Sequence, residues 1–211
     1  MGCVFCDINS PNSDISTLSH NRRILDVPSF YAVAARGQLC RGYSLICSKR
    51  HLHNMALHTD QQWEELSEVK NRFRSAASAL YGCQPLFFEH GDACNGTRGG
   101  SCISHAHLHV VPLPLYSAPS MLIKHNAIHF SDEFTAHQYL RENSPYFYLE
   151  LSNKEIYVLN SDFLPCQFGR QLVCYEFGLL SHWDWRKKLD SEQMIQTIED
   201  YIGYFNAHKN C

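Results

Sequence analysis

Three histidines at alternate positions constrain this chain more than any other feature. They lie in the segment SHAHLHVVP, residues 104–112. Successive side chains of a β-strand point to opposite faces of the sheet, so a strand here places His105, His107 and His109 on one face. The residues between them are apolar and suit a core. The pattern therefore predicts a strand with one buried apolar face and one face of imidazoles.

The segments before this strand predict an α+β unit of residues 1–115. Thr59 and Gln62 form a capping box, and apolar residues recur at helical spacing from there to Gly82, which predicts one long helix. Residues 1–20 are rich in turn formers and predict a loop. Consecutive strands of such a unit are expected to be antiparallel. The predicted strands are 24–35, 42–48, 86–89 and 104–114.

The remaining residues, 116–211, predict a mixed α/β extension that packs on the first unit. Pro112, Pro114 and Pro119 mark the boundary between the two. In the last helix, Met194, Ile198, Ile202 and Phe205 are expected to share a buried face. The predicted helices are 131–141, 166–177 and one around 194–205, and the predicted strands are 146–151 and 155–159.

Charge and hydropathy exclude several function classes. The 211 residues carry a formal charge of -3, which argues against a polymeric nucleic acid as partner. No apolar run approaches the roughly 18 residues of a membrane span. The amino terminus has no secretory signal pattern, so we expect a cytoplasmic protein. Most of the ten cysteines are then expected to be free thiols rather than members of a disulfide framework.

The loop before the histidine strand points to phosphate chemistry. GDACNGTRGGS, residues 91–101, has four glycines, and glycine lets backbone N–H groups approach an anion closely. Imidazole is a competent nucleophile toward a phosphoryl group because it is largely neutral at pH 7. The alternative is a metal site that uses all three imidazoles. Both readings stay open on these residues alone.

Four segments in order resemble the histidine triad family of nucleotide hydrolases and transferases. HAHLHVV from His105 matches the family signature, and CVFCDI from Cys3 and LICSKRH ending at His51 are similar to its upstream segments. FFEHG and GGSCISHAH are similar to the galactose-1-phosphate uridylyltransferase branch. The resemblance implies an α+β fold over about residues 1–115 and a possible homodimer.

The resemblance also implies a role for each site residue. His107 is the expected nucleophile, which forms a covalent nucleotidyl-histidine, and His109 is expected to stabilise phosphoryl oxygens or the leaving group. Gly100, Ser101 and Cys102 are expected phosphate contacts, although the family commonly has serine where this chain has Cys102. His90 takes the place of an asparagine that contacts the nucleotide.

Zinc is the expected cofactor. Cys3 and Cys6 form a CxxC half-site for tetrahedral zinc, and the resemblance implies that His51 and His105 complete it. His53 and His58 are nearby competitors for the third ligand. Such a Cys₂His₂ set leaves no open position, so the zinc is expected to be structural.

Two residues of the extension are candidates for phosphate contact. Gln167 and Arg170 are three residues apart on a predicted helix, where arginine and a helix amino terminus both favour anions. The chain is thus expected to be an enzyme, a hydrolase that acts on a nucleotide conjugate such as a dinucleoside polyphosphate or a nucleoside phosphoramidate. A nucleotidyltransferase or phosphorylase and a non-catalytic nucleotide sensor are the alternatives.

Overall fold

One antiparallel sheet of eight strands forms the centre of the described part of the chain. The computed structural model describes residues 2–10, 23–92, 103–180, 182–187 and 190–208. The strands are β1 (Arg23–Asp26), β2 (Phe30–Ala34), β3 (Ser44–Ser48), β4 (Leu86–Gly91), β5 (His107–Val111), β6 (Ile128–Phe130), β7 (Tyr146–Glu150) and β8 (Ile156–Asn160). Their order is β1-β2-β3-β5-β4-β7-β8-β6. The predicted α+β class with an antiparallel sheet is confirmed.

Six α-helices and a 3₁₀ turn pack on this sheet within the same residues. The 3₁₀ turn is Met55–Leu57. The helices are α1 (Val4–Asn9), α2 (Asp60–Tyr81), α3 (Ser120–Lys124), α4 (Glu133–Glu142), α5 (Phe168–Glu176) and α6 (Ser191–Ala207).

Helix α2 begins and ends where its local sequence predicts. The Thr59 side chain accepts from the Gln62 N–H, and the reciprocal bond completes the capping box. Gly82 closes the helix in the left-handed conformation, with φ of 69°, which glycine adopts without a Cβ penalty. Trp63 and Phe73 lie on its buried face.

The two faces of the sheet carry different helices. Leu108 and Val110 of β5 join a core with α2 and α6 on one face, as the alternation of β5 predicts. Phe88 of β4 belongs to the core on the other face, with α1 and α5. The side chains of His107 and His109 therefore lie on the face covered by α1 and α5.

The extension continues the sheet instead of forming a separate layer. Strand β7 pairs with β4 over five residues, from Phe87↔Glu150 to Gly91↔Tyr146. A buried ion cluster adds to this contact, because Lys70 Nζ lies 2.5 Å from Glu150 and Arg74 also binds that carboxylate. The division into domains at residue 115 stays a prediction.

Several element predictions are wrong in their bounds. The predicted strand 24–35 is two antiparallel strands, β1 and β2, joined by a turn. Residues 4–9, predicted as loop, form α1, which is held by the burial of Phe5 and Ile8. On α6, Met194 and Phe205 are buried as predicted, but Ile202 is 38% exposed and Tyr201 is fully buried.

Most of the described cysteines are free, and two of them, Cys47 and Cys174, are buried among apolar residues as expected. Cys166 is disulfide-bonded, which the sequence did not predict. Among the described residues, no helix combines the length and apolar character needed to cross a membrane.

Candidate active site

His107 is held as a neutral imidazole with one defined tautomer. It begins β5, opposite Cys47 of β3, and its Nδ1 lies 2.6 Å from the backbone carbonyl of His105. A carbonyl only accepts, so Nδ1–H donates and Nε2 keeps its lone pair. Burial lowers the pKa of His107 to about 4, the bond to the carbonyl opposes this shift, and nearby His105 and His90 add to it. The ring is therefore uncharged at neutral pH.

His109 is held between two aromatic rings. Its imidazole stacks on Phe88 with 4.1 Å between ring centroids and an angle of 11°, and its Nδ1 lies 2.6 Å from the Tyr43 hydroxyl. Burial moves the pKa of His109 well below its usual value, and the proximity of the His107 ring and the charge on Arg170 lower it further. His109 is thus also neutral at pH 7.

His105 lies just before β5 and faces a different group of residues. Its Nδ1 lies 3.3 Å from Cys3 Sγ and 3.6 Å from Cys6 Sγ, and 3.3 Å from His51 Nδ1. Cys6 Sγ is also 3.3 Å from His51 Nδ1. The four donor atoms all lie within 4.8 Å of one another, so the structure brings the predicted ligand set together.

These separations fit a tetrahedral zinc ion. Bonds of about 2.3 Å to sulfur and about 2.05 Å to nitrogen imply about 3.6 Å between sulfur and nitrogen and about 3.3 Å between nitrogens. The Nε2–H of His105 donates to the Ser48 carbonyl at 2.8 Å, which leaves Nδ1 deprotonated for a metal. His53 lies outside the set, with its Nδ1 2.8 Å from Ser104 Oγ.

A cavity of about 350 Å³ opens beside His107 and His109. Most of its wall is apolar, and Phe5 of α1 lies 5.1 Å from the His107 ring. The polar lining residues include Arg36, which is exposed. The apolar lining residues are Val4, Phe5, Ala35, Leu45, Phe88, Ile103 and Trp185.

The predicted nucleotide contacts lie in three different environments. His90, on β4, lines the cavity and its ring meets the edge of Phe147 at 6.2 Å. Gly100, Ser101 and Cys102 lie outside the described residues. Gln167, which also lines the cavity, binds Asp184 through Nε2 at 3.3 Å.

Arg170 lines the cavity, but most of the hydrogen bonds from its side chain go to backbone carbonyls. Its Nε donates to the Trp183 carbonyl at 2.6 Å, and its Nη2 donates to the carbonyls of Gly37 and His182 at 2.8 and 2.9 Å. The guanidinium is buried. Few N–H groups of the guanidinium therefore remain free to bind a distal phosphate, which was its predicted role.

Sequence reasoning missed three aromatic residues of the site: Phe5, Tyr43 and Phe88. Phe88 and Leu45 lie opposite His109 on the two neighbouring strands. Alternation along the chain before β3 places Tyr43 on the same side as Leu45. Tyr43 could have been found from the sequence only by pairing the strands in register.

No family model matches this chain, and no curated protein matches it. Solved structures do. A zinc-bound histidine triad family protein from Mycobacterium smegmatis is 22% identical, over 67% of this chain and 92% of that one, with a TM-score of 0.43. A hypothetical histidine triad nucleotide-binding protein from Sulfolobus tokodaii is 18% identical, over 66% and 87%, with a TM-score of 0.42. A HIT family hydrolase from Clostridium thermocellum is 18% identical, over 56% and 96%, with a TM-score of 0.39.

Proposed function

We propose that this chain is a nucleotide hydrolase that cleaves a nucleotide conjugate at its α-phosphate through a covalent bond to His107. The observation that carries the proposal is the bond from His107 Nδ1 to the His105 carbonyl. It aims a neutral imidazole with a free Nε2 lone pair at the cavity, and this is the form of histidine that attacks an electrophile.

The reaction takes two displacement steps. In the first, His107 Nε2 forms a bond to the α-phosphorus while the bond from phosphorus to the leaving group breaks, and the leaving group departs with the electron pair. In the second, water bonds to the phosphorus, the phosphorus–nitrogen bond breaks and the pair returns to Nε2. The water proton is released to solvent, and His107 is regenerated with its Nδ1–H. His109 donates a hydrogen bond to a phosphoryl oxygen in both steps.

The cavity supports a nucleotide as the group transferred. Its volume of about 350 Å³ is at the lower end of the range of about 300–1,000 Å³ for small-molecule sites. Apolar side chains such as Leu45 and Phe5 suit a base. We propose that His90 and Gln167, with Gly100, Ser101 and Cys102, contact the nucleotide, and that Arg36 adds positive charge at the cavity.

A structural zinc ion held by Cys3, Cys6, His51 and His105 is part of the proposal. When bound, zinc would supply a cross-link between the amino-terminal segment and the start of β5, because four protein ligands leave no position for substrate. The same cross-link would hold the His105 carbonyl, which sets the tautomer of His107.

The test is turnover by the His107→Asn variant on a panel of dinucleoside polyphosphates, nucleoside phosphoramidates and nucleotide sugars. We expect loss of at least about 100-fold in kcat, the lower end for a catalytic nucleophile or base. His129→Asn is the matched control, because His129 lies on β6 against Tyr157. Mass spectrometry of the quenched wild type is expected to find a nucleotide on His107.

The same panel separates the alternatives. A nucleotidyltransferase would release little product in water and turn over when inorganic phosphate or a sugar phosphate is added as acceptor. A sensor would bind a nucleotide tightly without product. Unchanged turnover in the His107→Asn variant would exclude the proposed reaction.

A further inference from the structure

Tyr43 contacts His109 directly and has no part in the two displacement steps. It lies just before β3 and is fully buried, and its hydroxyl oxygen is 2.6 Å from His109 Nδ1. This bond has two possible directions. Either the hydroxyl donates to Nδ1, or Nδ1–H donates to the hydroxyl oxygen.

The surroundings of Tyr43 favour the first direction. Burial raises the pKa of Tyr43, although the charge on Arg170 opposes this, so the hydroxyl keeps its proton. Arg170 lies over the ring, with Cζ 5.3 Å from its centroid, and a guanidinium has no acceptor. The interaction of the Arg170 side chain with the Tyr43 hydroxyl therefore leaves the hydroxyl proton free, and this proton is directed to His109 Nδ1.

The direction of this bond determines which nitrogen of His109 faces the substrate as a donor. If Nδ1 accepts, a neutral His109 carries its proton on Nε2. His107 has the opposite tautomer, with its proton on Nδ1. Two imidazoles on one strand, with ring centroids 5.0 Å apart, would then offer a lone pair and an N–H group to the same cavity.

Arg170 belongs to the extension, and backbone carbonyls hold its side chain in place. Helix α5 carries it, and three backbone carbonyls, of Gly37, His182 and Trp183, hold its guanidinium. Gly37 follows β2, while the other two residues follow α5. The guanidinium therefore connects the extension to the ring of Tyr43.

We propose that Tyr43 and Arg170 are positioning residues: Tyr43 holds His109 with its proton on Nε2, and Arg170 holds Tyr43. The inference rests on the proposed function, in which His109 donates a hydrogen bond to a phosphoryl oxygen. It gives the extension a part in the chemistry, because α5 supplies the residue that orients Tyr43.

The experiment is ¹⁵N NMR of the histidine side chains, which reports the tautomer of each ring without any substrate. His109 signals are assigned by comparison with a His109→Gln variant. We expect the wild type to show His109 protonated on Nε2 and His107 protonated on Nδ1. In the Tyr43→Phe variant, His109 signals should shift to a mixture of tautomers while His107 signals stay unchanged. Loss of this one neutral hydrogen bond should lower kcat roughly tenfold, with KM within about twofold.

The matched control is Tyr201→Phe. Tyr201 is equally buried and donates to the Gly42 carbonyl at 3.1 Å, beside Tyr43 but away from His109, so neither the spectrum nor kcat should change. Arg170→Gln should broaden or shift the His109 signals. Unchanged signals in that variant would overturn the part given to Arg170.

A wild-type His109 protonated on Nδ1 would overturn the inference, as would unchanged His109 signals in a folded Tyr43→Phe variant. The wild-type spectrum alone decides the tautomer if that variant does not fold. Because the spectra need no turnover, they remain valid even if the His107→Asn test rejects the proposed reaction.

Discussion

Gly169 on α5 allows the helix to approach the ring that stacks on His109. A Cβ added at Gly169 would lie 2.4 Å from Cδ2 and Cε2 of Phe88 and 3.0 Å from Cε2 of Phe147. Ordinary contacts begin near 3.4 Å, so the helix or the Phe88 ring has to move by about 1 Å in a Gly169→Ala variant. Overpacking of this kind costs about 1–3 kcal/mol.

The helix propensity of alanine opposes this cost by at most about 1 kcal/mol. Gly203 on α6 isolates the two effects, because nothing lies within 4 Å of a Cβ built there. Gly203→Ala should therefore be stabilised by up to about 1 kcal/mol. The difference in free energy of unfolding between the two variants should equal the overpacking cost, about 1–3 kcal/mol, or about 2–12 °C in Tm.

Thermal unfolding and steady-state kinetics measure the two consequences. The shift of Phe88 should displace His109, and displacements of about 1 Å at a reacting centre cost up to about 100-fold in rate. Gly169→Ala should lower kcat, whereas Gly203→Ala should leave it unchanged. Equal changes in Tm for the two variants, or an unchanged kcat for Gly169→Ala, would refute the packing argument.

Two further predictions concern the metal site and acid stability. Metal analysis of purified protein should find one zinc per chain in the wild type and in the His107→Asn variant. The Cys3→Ser and His51→Ala variants should each contain less zinc. Loss of zinc in the His107→Asn variant would contradict the assigned ligand set. The pKa of His58 is lowered to about 4 by burial, so the unfolded chain takes up this proton first as pH falls below about 6.5. The native state should then lose up to about 2 kcal/mol of stability between pH 7.5 and pH 5, and Tm measured at both pH values should fall less for His58→Gln than for the wild type. An equal fall in both proteins would show that His58 does not titrate in this way.

Elements with local signals were predictable from sequence. Helix α2 has its capping box and its terminal glycine within its own sequence, so its bounds needed no tertiary information. Helix α1 is six residues long, too short to be stable by itself. It forms because Phe5 and Ile8 are buried against the sheet, which no local pattern reports.

In the candidate site, too, some features follow from local sequence and others depend on tertiary contacts. The alternation HAHLH predicts which residues of β5 face the core, and the structure agrees for Leu108 and Val110. The partner of His109 was not predictable, because Tyr43 is 66 residues away in sequence and is brought near by the register of β3 with β5. The surroundings of Arg170 likewise depend on where Gly37 and Trp183 lie in space.

Because β7 is synthesised well after β4, the edge of β4 that pairs with β7 lacks its partner for part of the time that the chain is being made. β7 begins about 55 residues after β4 ends, and a ribosome needs about 3–11 s for that length at about 5–20 residues per second. During this interval one side of β4 presents unpaired backbone N–H and C=O groups, which is the arrangement that leads strands of different chains to associate. The emerging extension ends this exposure, and a chain truncated at residue 115 would keep it permanently.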